Sequence, residues 1–330
     1  MILNFFIDKD HFPYQFKDDL SFKSKNLLDA LGGTNTWLLW TLRTYLELKE
    51  HFDCNLTDVI PESGITFFFR GSINFTQKPN KNQFWVCMVA DAVWHPYSHV
   101  NLFQNHSTLT AYPQSFFIRH WHQLSIIKSK SVNSSPQNIY YFGDKTNLAP
   151  MLRSEDWQSF IEKNGFKFQI PPFSKWNDYS VIDVVIGIRS FNGDEIFLNK
   201  PSSKLINAWR ANVVFIGGSD SAYTYERQTS LDYIDVKTYD ELKTALLNLT
   251  NDNELFHKYR QQSVKCAERF PDTFFVDQWI SLINNKILPL YQQSIKAGSF
   301  AYYKFLFARF VIYKSQALAI RFKKAITSTH

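Results

Sequence analysis

Cysteine is scarce: Cys54, Cys87 and Cys266 are the only three in 330 residues, odd in number and far apart. Such usage supports neither a disulfide framework nor a thiolate zinc site, and it fits a reducing compartment such as the cytoplasm. Glycine (11) and proline (12) are too sparse for a collagenous or low-complexity chain. No run of about 18 apolar residues occurs, so a membrane-spanning helix is not expected. The first ten residues carry Asp8 and Asp10 and no basic cluster ahead of an apolar stretch, so no export signal is expected either. Acid is missing from residues 291–330, which hold seven basic side chains, whereas the preceding 290 residues carry 29 basic against 30 acidic. The formal charge of +6 therefore belongs to one end, and a nucleic-acid partner is not expected for the body.

Aromatics are abundant, with 31 Phe, 16 Tyr and 9 Trp in a chain that is 45% hydrophobic. That is ample material for the cores of two medium domains. A Ser-, Asn- and Lys-rich segment, 128–137, reads as the connection between them. The expected division is 1–137, 138–285 and a tail, 286–330.

The tail interleaves Lys296, Lys304, Arg309, Lys314, Arg321, Lys323 and Lys324 with Phe300, Tyr302, Tyr303, Phe305, Phe307, Phe310 and Tyr313. Mixed aromatic and basic residues suit the boundary between headgroups and acyl chains, so the leading reading is contact with a membrane surface, peripheral and on the inner face. At about 100° per residue the basic positions scatter around a helix, which asks for snorkelling. A last helix packed on the body with a solvated basic rim, or an RNA-binding tail, are the other readings.

Before the connection, 34–51 reads as a helix, and 65–69 and 84–90 as buried strands. After it the rhythm alternates. Strands are expected at 139–142, 166–170, 181–188 and 213–216, with helices at 154–164, 202–211 and 239–249. Alternating helices and continuously apolar strands imply a parallel α/β sheet covered on both faces, with ligands at the carboxyl ends of the strands.

The stretch from Val181 to Glu226 carries the chemistry. An apolar strand ends at Arg189, and a loop delivers Lys200-Pro201-Ser202-Ser203-Lys204 to the start of a helix. Pro201 suits a first helical turn, whose free N–H groups and dipole favour an anion, and the two Lys and the Arg match a diphosphate in charge. Gly217-Gly218 would let backbone approach a ligand, followed by Asp220, Ser221 and Tyr223. In the first half, Asp91 and His95 follow a buried strand and are the candidates for a general base. Arg70 ends the neighbouring strand. His95, His99, His106, His120 and His122 crowd into 28 residues, but no acid accompanies His120 and His122, and a metal site is not expected.

The string Lys200-Pro201-x-x-Lys204-Leu205-x-Asn207-Ala208-x-x-Ala211-x-Val213, then a strand, two glycines and Ser221-Ala222-Tyr223, resembles the donor half of GT-B glycosyltransferases. Arg189-Ser190-Phe191, Tyr141-Phe142-Gly143, Asn147-Leu148-Ala149-Pro150, Ala267-Glu268-Arg269-Phe270 and Trp279 extend the resemblance over most of the chain. It implies an α/β protein of two Rossmann-like domains facing a cleft, with a nucleotide-sugar on the second domain and a glycan or lipid-linked acceptor on the first. Carried over, Arg189, Lys200 and Lys204 contact the diphosphate, Asn207 the nucleoside, and Gly143 the donor loop. Ser203, Gly218, Asp220, Ser221 and Tyr223 complete the expected donor set. Retaining relatives place two glutamates where Asn199 and Asn207 stand here, which speaks for an inverting displacement without metal or cofactor. A catalytically silent binding relative would show the same loss, and an adaptor using only the tail is a third class.

Overall fold

The computed structural model describes residues 1–14, 38–91, 93–111, 114–193 and 197–327. Among these residues two parallel sheets form. The first contains Leu3–Phe6 (β1), Cys54–Thr57 (β2), Gly64–Phe69 (β3), Gln83–Ala90 (β4), Val100–Phe103 (β5) and Ser115–Phe117 (β6), in the order β2-β1-β3-β4-β5-β6. The second contains Asn138–Tyr140 (β7), Lys167–Gln169 (β8), Val184–Gly187 (β9), Val214–Gly217 (β10) and Ile234–Asp235 (β11), in the order β11-β10-β9-β7-β8. Every pairing within both sheets is parallel. Buried Val, Ile and Phe along β3, β4, β9 and β10 explain the choice, because a parallel sheet must be covered on both faces.

The covering helices start where the sequence supplies caps. Helix α1, Arg43–Leu48, continues a π turn at Leu38–Leu42, and the expected start of that helix at 34–37 lies outside the described residues. Helix α2, Glu155–Lys163, is capped by Ser154, whose hydroxyl accepts from the Trp157 N–H. Helix α3 is Ser203–Arg210 and α4 is Ser221–Glu226. Helix α5, Tyr239–Asn251, opens with a capping box between Thr238 and Glu241, and α6 is Asn253–Ala267. Helices α7, Asp272–Leu282, α8, Leu288–Lys296, and α9, Gly298–Thr327, then close the chain.

Helix α7 returns to the first sheet: Trp279 sits 6.3 Å from Phe67 and 6.2 Å from Trp121, ring centre to ring centre. The chain therefore crosses back by Asp272, inside the segment assigned from sequence to the second domain. One apolar cluster runs from Phe5 and Phe67 through Trp121 and Trp279 to Leu205, Trp209 and Phe215, so the two halves share a continuous core. The connection 128–137 is strapped to the second half. Buried Asp183 accepts from Ser131, Asn133, the Gln137 N–H and the Asn138 N–H, which satisfies backbone that would otherwise be orphaned.

Helix α9 divides the tail's residues between two tasks. Tyr302 donates to the Pro79 carbonyl at 2.9 Å, Phe305 stacks on His99 at 4.3 Å, and Arg309 Nη2 donates to the His99 carbonyl at 3.1 Å. These three residues belong to the packing of the first domain, as the reading of a last helix packed on the body expects. The opposite face leaves Phe300, Tyr303, Phe307 and Phe310 exposed beside Lys296, Lys304 and Lys314. Among the described residues no helix is long and apolar enough to cross a membrane.

Candidate functional site

A cleft of about 540 Å³ opens between the carboxyl ends of the two sheets. The first sheet contributes Asp91, Gln104 and His120, and the second half contributes Gly143, Arg189, Lys200, Ser203 and Lys204. Strand β4 reaches it through a register shift between Met88 and Ala90, with Ala90 at φ +56°. A left-handed alanine costs roughly 1 kcal/mol or more, so the bulge that delivers Asp91 is held by its surroundings.

Asp91 meets Lys200 across the cleft at 2.7 Å, and the Asn199 amide donates to the Asp91 carbonyl at 2.6 Å. Burial pushes the Asp91 carboxyl up, but the bonded Lys200 ammonium outweighs it and holds it below the usual carboxylate value. Arg189 Nη1 is bonded to Asp220 and lies 3.4 Å from the Tyr223 hydroxyl. Two of the three expected cations therefore already have carboxylate partners.

Lys204 has none. Its ammonium lies over the Tyr141 ring at 5.1 Å, and among the described residues it makes neither a hydrogen bond nor an ion pair. Burial, then the neighbouring Arg189, lower its pKa well below the ordinary lysine value. Gly143 makes room for it: a Cβ there would stand 3.1 Å from Lys204 Cε and Nζ and 3.0 Å from the Tyr141 hydroxyl. At the start of α3, the Ser202 hydroxyl donates to Glu226 at 3.1 Å and makes no cap, so it leaves the first-turn N–H groups uncapped beside Lys204.

Several sequence expectations are corrected. His95 is fully buried among Phe68, Trp85 and Tyr97, with Nε2 donating to the Asn74 carbonyl at 3.0 Å; burial lowers its pKa to about 4. It does not line the cleft, because the loop after β4 folds it back under the sheet. Asn207 lies one turn along α3 from Lys204, and its oxygen accepts the Gln123 N–H at 3.0 Å, which fixes the crossing segment instead of a nucleoside. Gly218 is not needed for packing, since a Cβ there would have ordinary 3.8 Å contacts with protein atoms. The glycine requirement falls on Gly187 and Gly217, where a Cβ would strike Phe215 at 2.2 and 2.7 Å. Ser221 faces away, exchanging hydrogen bonds with Asn105 beside a neighbouring cavity that Asp220 also lines. Tyr223 is buried and supports Arg189 from behind.

Two cleft residues were missed. His120 turns Nδ1 toward the Trp121 carbonyl, so Nδ1 carries the proton and Nε2 is the acceptor; burial lowers its pKa. Sequence spacing offered it only as a metal ligand. Gln104 is buried, with Nε2 donating to the Asn199 carbonyl at 3.4 Å and Oε1 unpartnered among the described residues. The histidines disperse into separate settings, and among the described residues no group of three or more His, Cys, Asp and Glu could hold a metal ion.

No protein-family model and no curated protein match the chain. Solved structures do. A crystal structure of a Staphylococcus aureus TarM point mutant in complex with fondaparinux, α-GlcNAc-glycerol and UDP matches with a TM-score of 0.50 and 12% identity over 74% of this chain. A crystal structure of TarM matches with a TM-score of 0.51 and 11% identity over 74%. The chain spans 58% of the length of each of these two. The likeness is one of fold: two Rossmann-like domains across a cleft, the GT-B arrangement that the sequence resemblance implies.

Proposed function

We propose that the chain is a glycosyltransferase that moves a sugar from a nucleotide-sugar held by the second domain to a glycan or lipid-linked acceptor on the first. One observation carries this reading: Lys204, a desolvated cation without a partner, faces a cleft that also holds the Lys200–Asp91 and Arg189–Asp220 pairs. A diphosphate there supplies the charge Lys204 lacks, and by drawing Lys200 to itself it releases Asp91. The TarM crystal, similar in fold, holds UDP, a nucleoside diphosphate of the kind proposed here.

In the proposed step the acceptor hydroxyl oxygen bonds to the anomeric carbon as the bond from that carbon to the diphosphate oxygen breaks. The bonding pair goes to the diphosphate, which Lys200 and Lys204 stabilise without a metal. The hydroxyl proton passes to His120 Nε2 or to the released Asp91 carboxylate. Inversion is favoured because Asn199 and Asn207 carry no charge, and each amide already holds a loop, to the Asp91 carbonyl and the Gln123 N–H.

The exposed stripe of Phe300, Tyr303, Phe307 and Phe310 with three lysines supports contact with an anionic membrane surface, the setting for a lipid-linked acceptor at the cytoplasmic face. Thermal denaturation with UDP, GDP, CMP and ADP tests the central claim. At one hundred times its dissociation constant the right nucleotide stabilises by about 2.7 kcal/mol. Lys204→Ala removes that gain. No stabilisation by any of the four overturns the reading, and stabilisation without transfer to any glycan acceptor or hydrolysis of the donor points to a silent binding relative.

A further inference from the structure

A second cavity, of about 640 Å³, lies between α8, α9 and the opposite edge of the first sheet. Its lining residues Asn82, His99 and Gln114 stand just before β4, β5 and β6, whereas the cleft lies where those strands end. At about 3.3 Å per residue, the run of β4 from Phe84 to Asp91 separates the two by roughly 20 Å. The cavity is therefore no part of the cleft.

Its walls are aromatic: Phe84, Tyr291, Tyr302 and Phe305. Among them sits a buried cation. Arg309 is 3% exposed, its guanidinium lies 5.5 Å from the Trp94 ring and 5.4 Å from the Phe305 ring, and Nη2 is taken by the His99 carbonyl. Nη1 has no partner among the described residues. Among the described residues no acidic side chain lines the cavity, and Lys81 adds a second positive charge. His99, which faces Arg309 from the sheet, is held neutral by burial and by the guanidinium itself. A buried guanidinium without a counter-charge is costly, and the missing partner is an anion.

We propose that this cavity binds a phosphate-headed lipid, its head at Arg309 and its chain along Phe84, Tyr291 and Phe305. Aromatic walls alone would suit any apolar guest; the unpaired guanidinium selects an anionic one. The source is a bilayer, because Ser299 and Ala301 of the cavity rim flank exposed Phe300 on the face of α9 that carries Tyr303 and Phe307. The inference rests on the membrane contact proposed for that face and is separate from the chemistry of the cleft.

Titration calorimetry on the full chain tests it with dodecyl phosphate below its micelle concentration, dodecyl maltoside and inorganic phosphate. Dodecyl phosphate is expected to bind at least about tenfold tighter than the other two, since a charge-assisted hydrogen bond in a desolvated site is worth that much. Arg309→Met, which keeps the volume and removes the charge, and Ala301→Trp, which fills the cavity without touching Arg309, each lose about tenfold or more while circular dichroism stays native. Equal binding of the phosphate and maltoside heads, or unchanged binding in Arg309→Met, overturns the proposal. Inorganic phosphate binding as well as dodecyl phosphate overturns the lipid and leaves a plain anion site. Sedimentation with vesicles containing phosphatidylglycerol reads the membrane contact separately: Phe307→Ser abolishes it and leaves dodecyl phosphate binding intact. Wild-type protein that binds dodecyl phosphate but no vesicle sinks the bilayer as source and supports the cavity.

Discussion

Burial and binding pull in opposite directions at Lys204. Without a counter-charge its ammonium destabilises the folded chain, and an apolar side chain of similar length would not. Lys204→Met is expected to raise the unfolding free energy by about 1 kcal/mol, seen as a Tm higher by roughly 1–2 °C, while lowering nucleotide affinity about tenfold or more. The pH dependence has a definite sign. Between the depressed pKa of Lys204 and the ordinary 10.5, the unfolded chain holds a proton that the folded chain lacks, so stability rises with pH across that window. In the Met variant this slope disappears. A bound diphosphate returns the proton, so binding in the same window takes up protons and weakens as pH rises, measurable by calorimetry in buffers of different ionisation enthalpy. At this scale the sequence was partly legible. Lys200 and Lys204 could be placed because a helix start is a local signal; Asp220, which neutralises Arg189 from 31 positions away, and the burial of His95 are set by tertiary contacts that leave no local mark.

Elements were legible where their apolar runs were unbroken. Strands β9 and β10 are four residues long, like β1 and β5, but Val184-Val185-Ile186 and Val214-Phe215-Ile216 are wholly apolar, whereas Asn4, Asn101 and Ser115 interrupt the pattern of β1, β5 and β6. Contacts between elements had no signal at all. Arg119, just beyond β6, grips Glu226 at the end of α4 with two bonds of 2.8 and 3.1 Å and reaches Gln278 of α7 at 2.9 Å. Glu226 is 5% exposed and also accepts from Ser202 at the start of α3. Arg119→Ala leaves that carboxylate buried and unpaired, at an expected cost of about 3–5 kcal/mol. Arg119→Met with Glu226→Leu is expected to recover most of it, because two apolar chains leave no charge behind. Denaturant midpoints of the two single variants and the double variant measure the coupling; additive losses would show that the pair does not hold the elements together.

Across the whole molecule, α9 decides whether the basic end is an appendage or a structural part with a second face. Phe305 is half-buried against His99, which also stacks on Phe84, and its removal forfeits the outer stack of the three. Phe305→Ala is expected to cost about 2 kcal/mol, less than a fully buried Phe, which lowers Tm by roughly 3 °C at this chain length. Phe307, two positions on, is 70% exposed and touches nothing that a serine would disturb. Phe307→Ser is expected to leave Tm within about 1 °C, because an exposed substitution away from buried features is nearly neutral. The two variants exchange roles on vesicles: Phe307→Ser loses binding, and Phe305→Ala keeps it at temperatures where it remains folded. Salt weakens the vesicle binding that depends on Lys296, Lys304 and Lys314 and leaves the Phe305 stack unaffected, since one is an exposed Coulombic attraction and the other a dry contact. If both variants lower Tm equally and neither alters vesicle binding, α9 has no membrane-facing side and its lysines are a solvated rim.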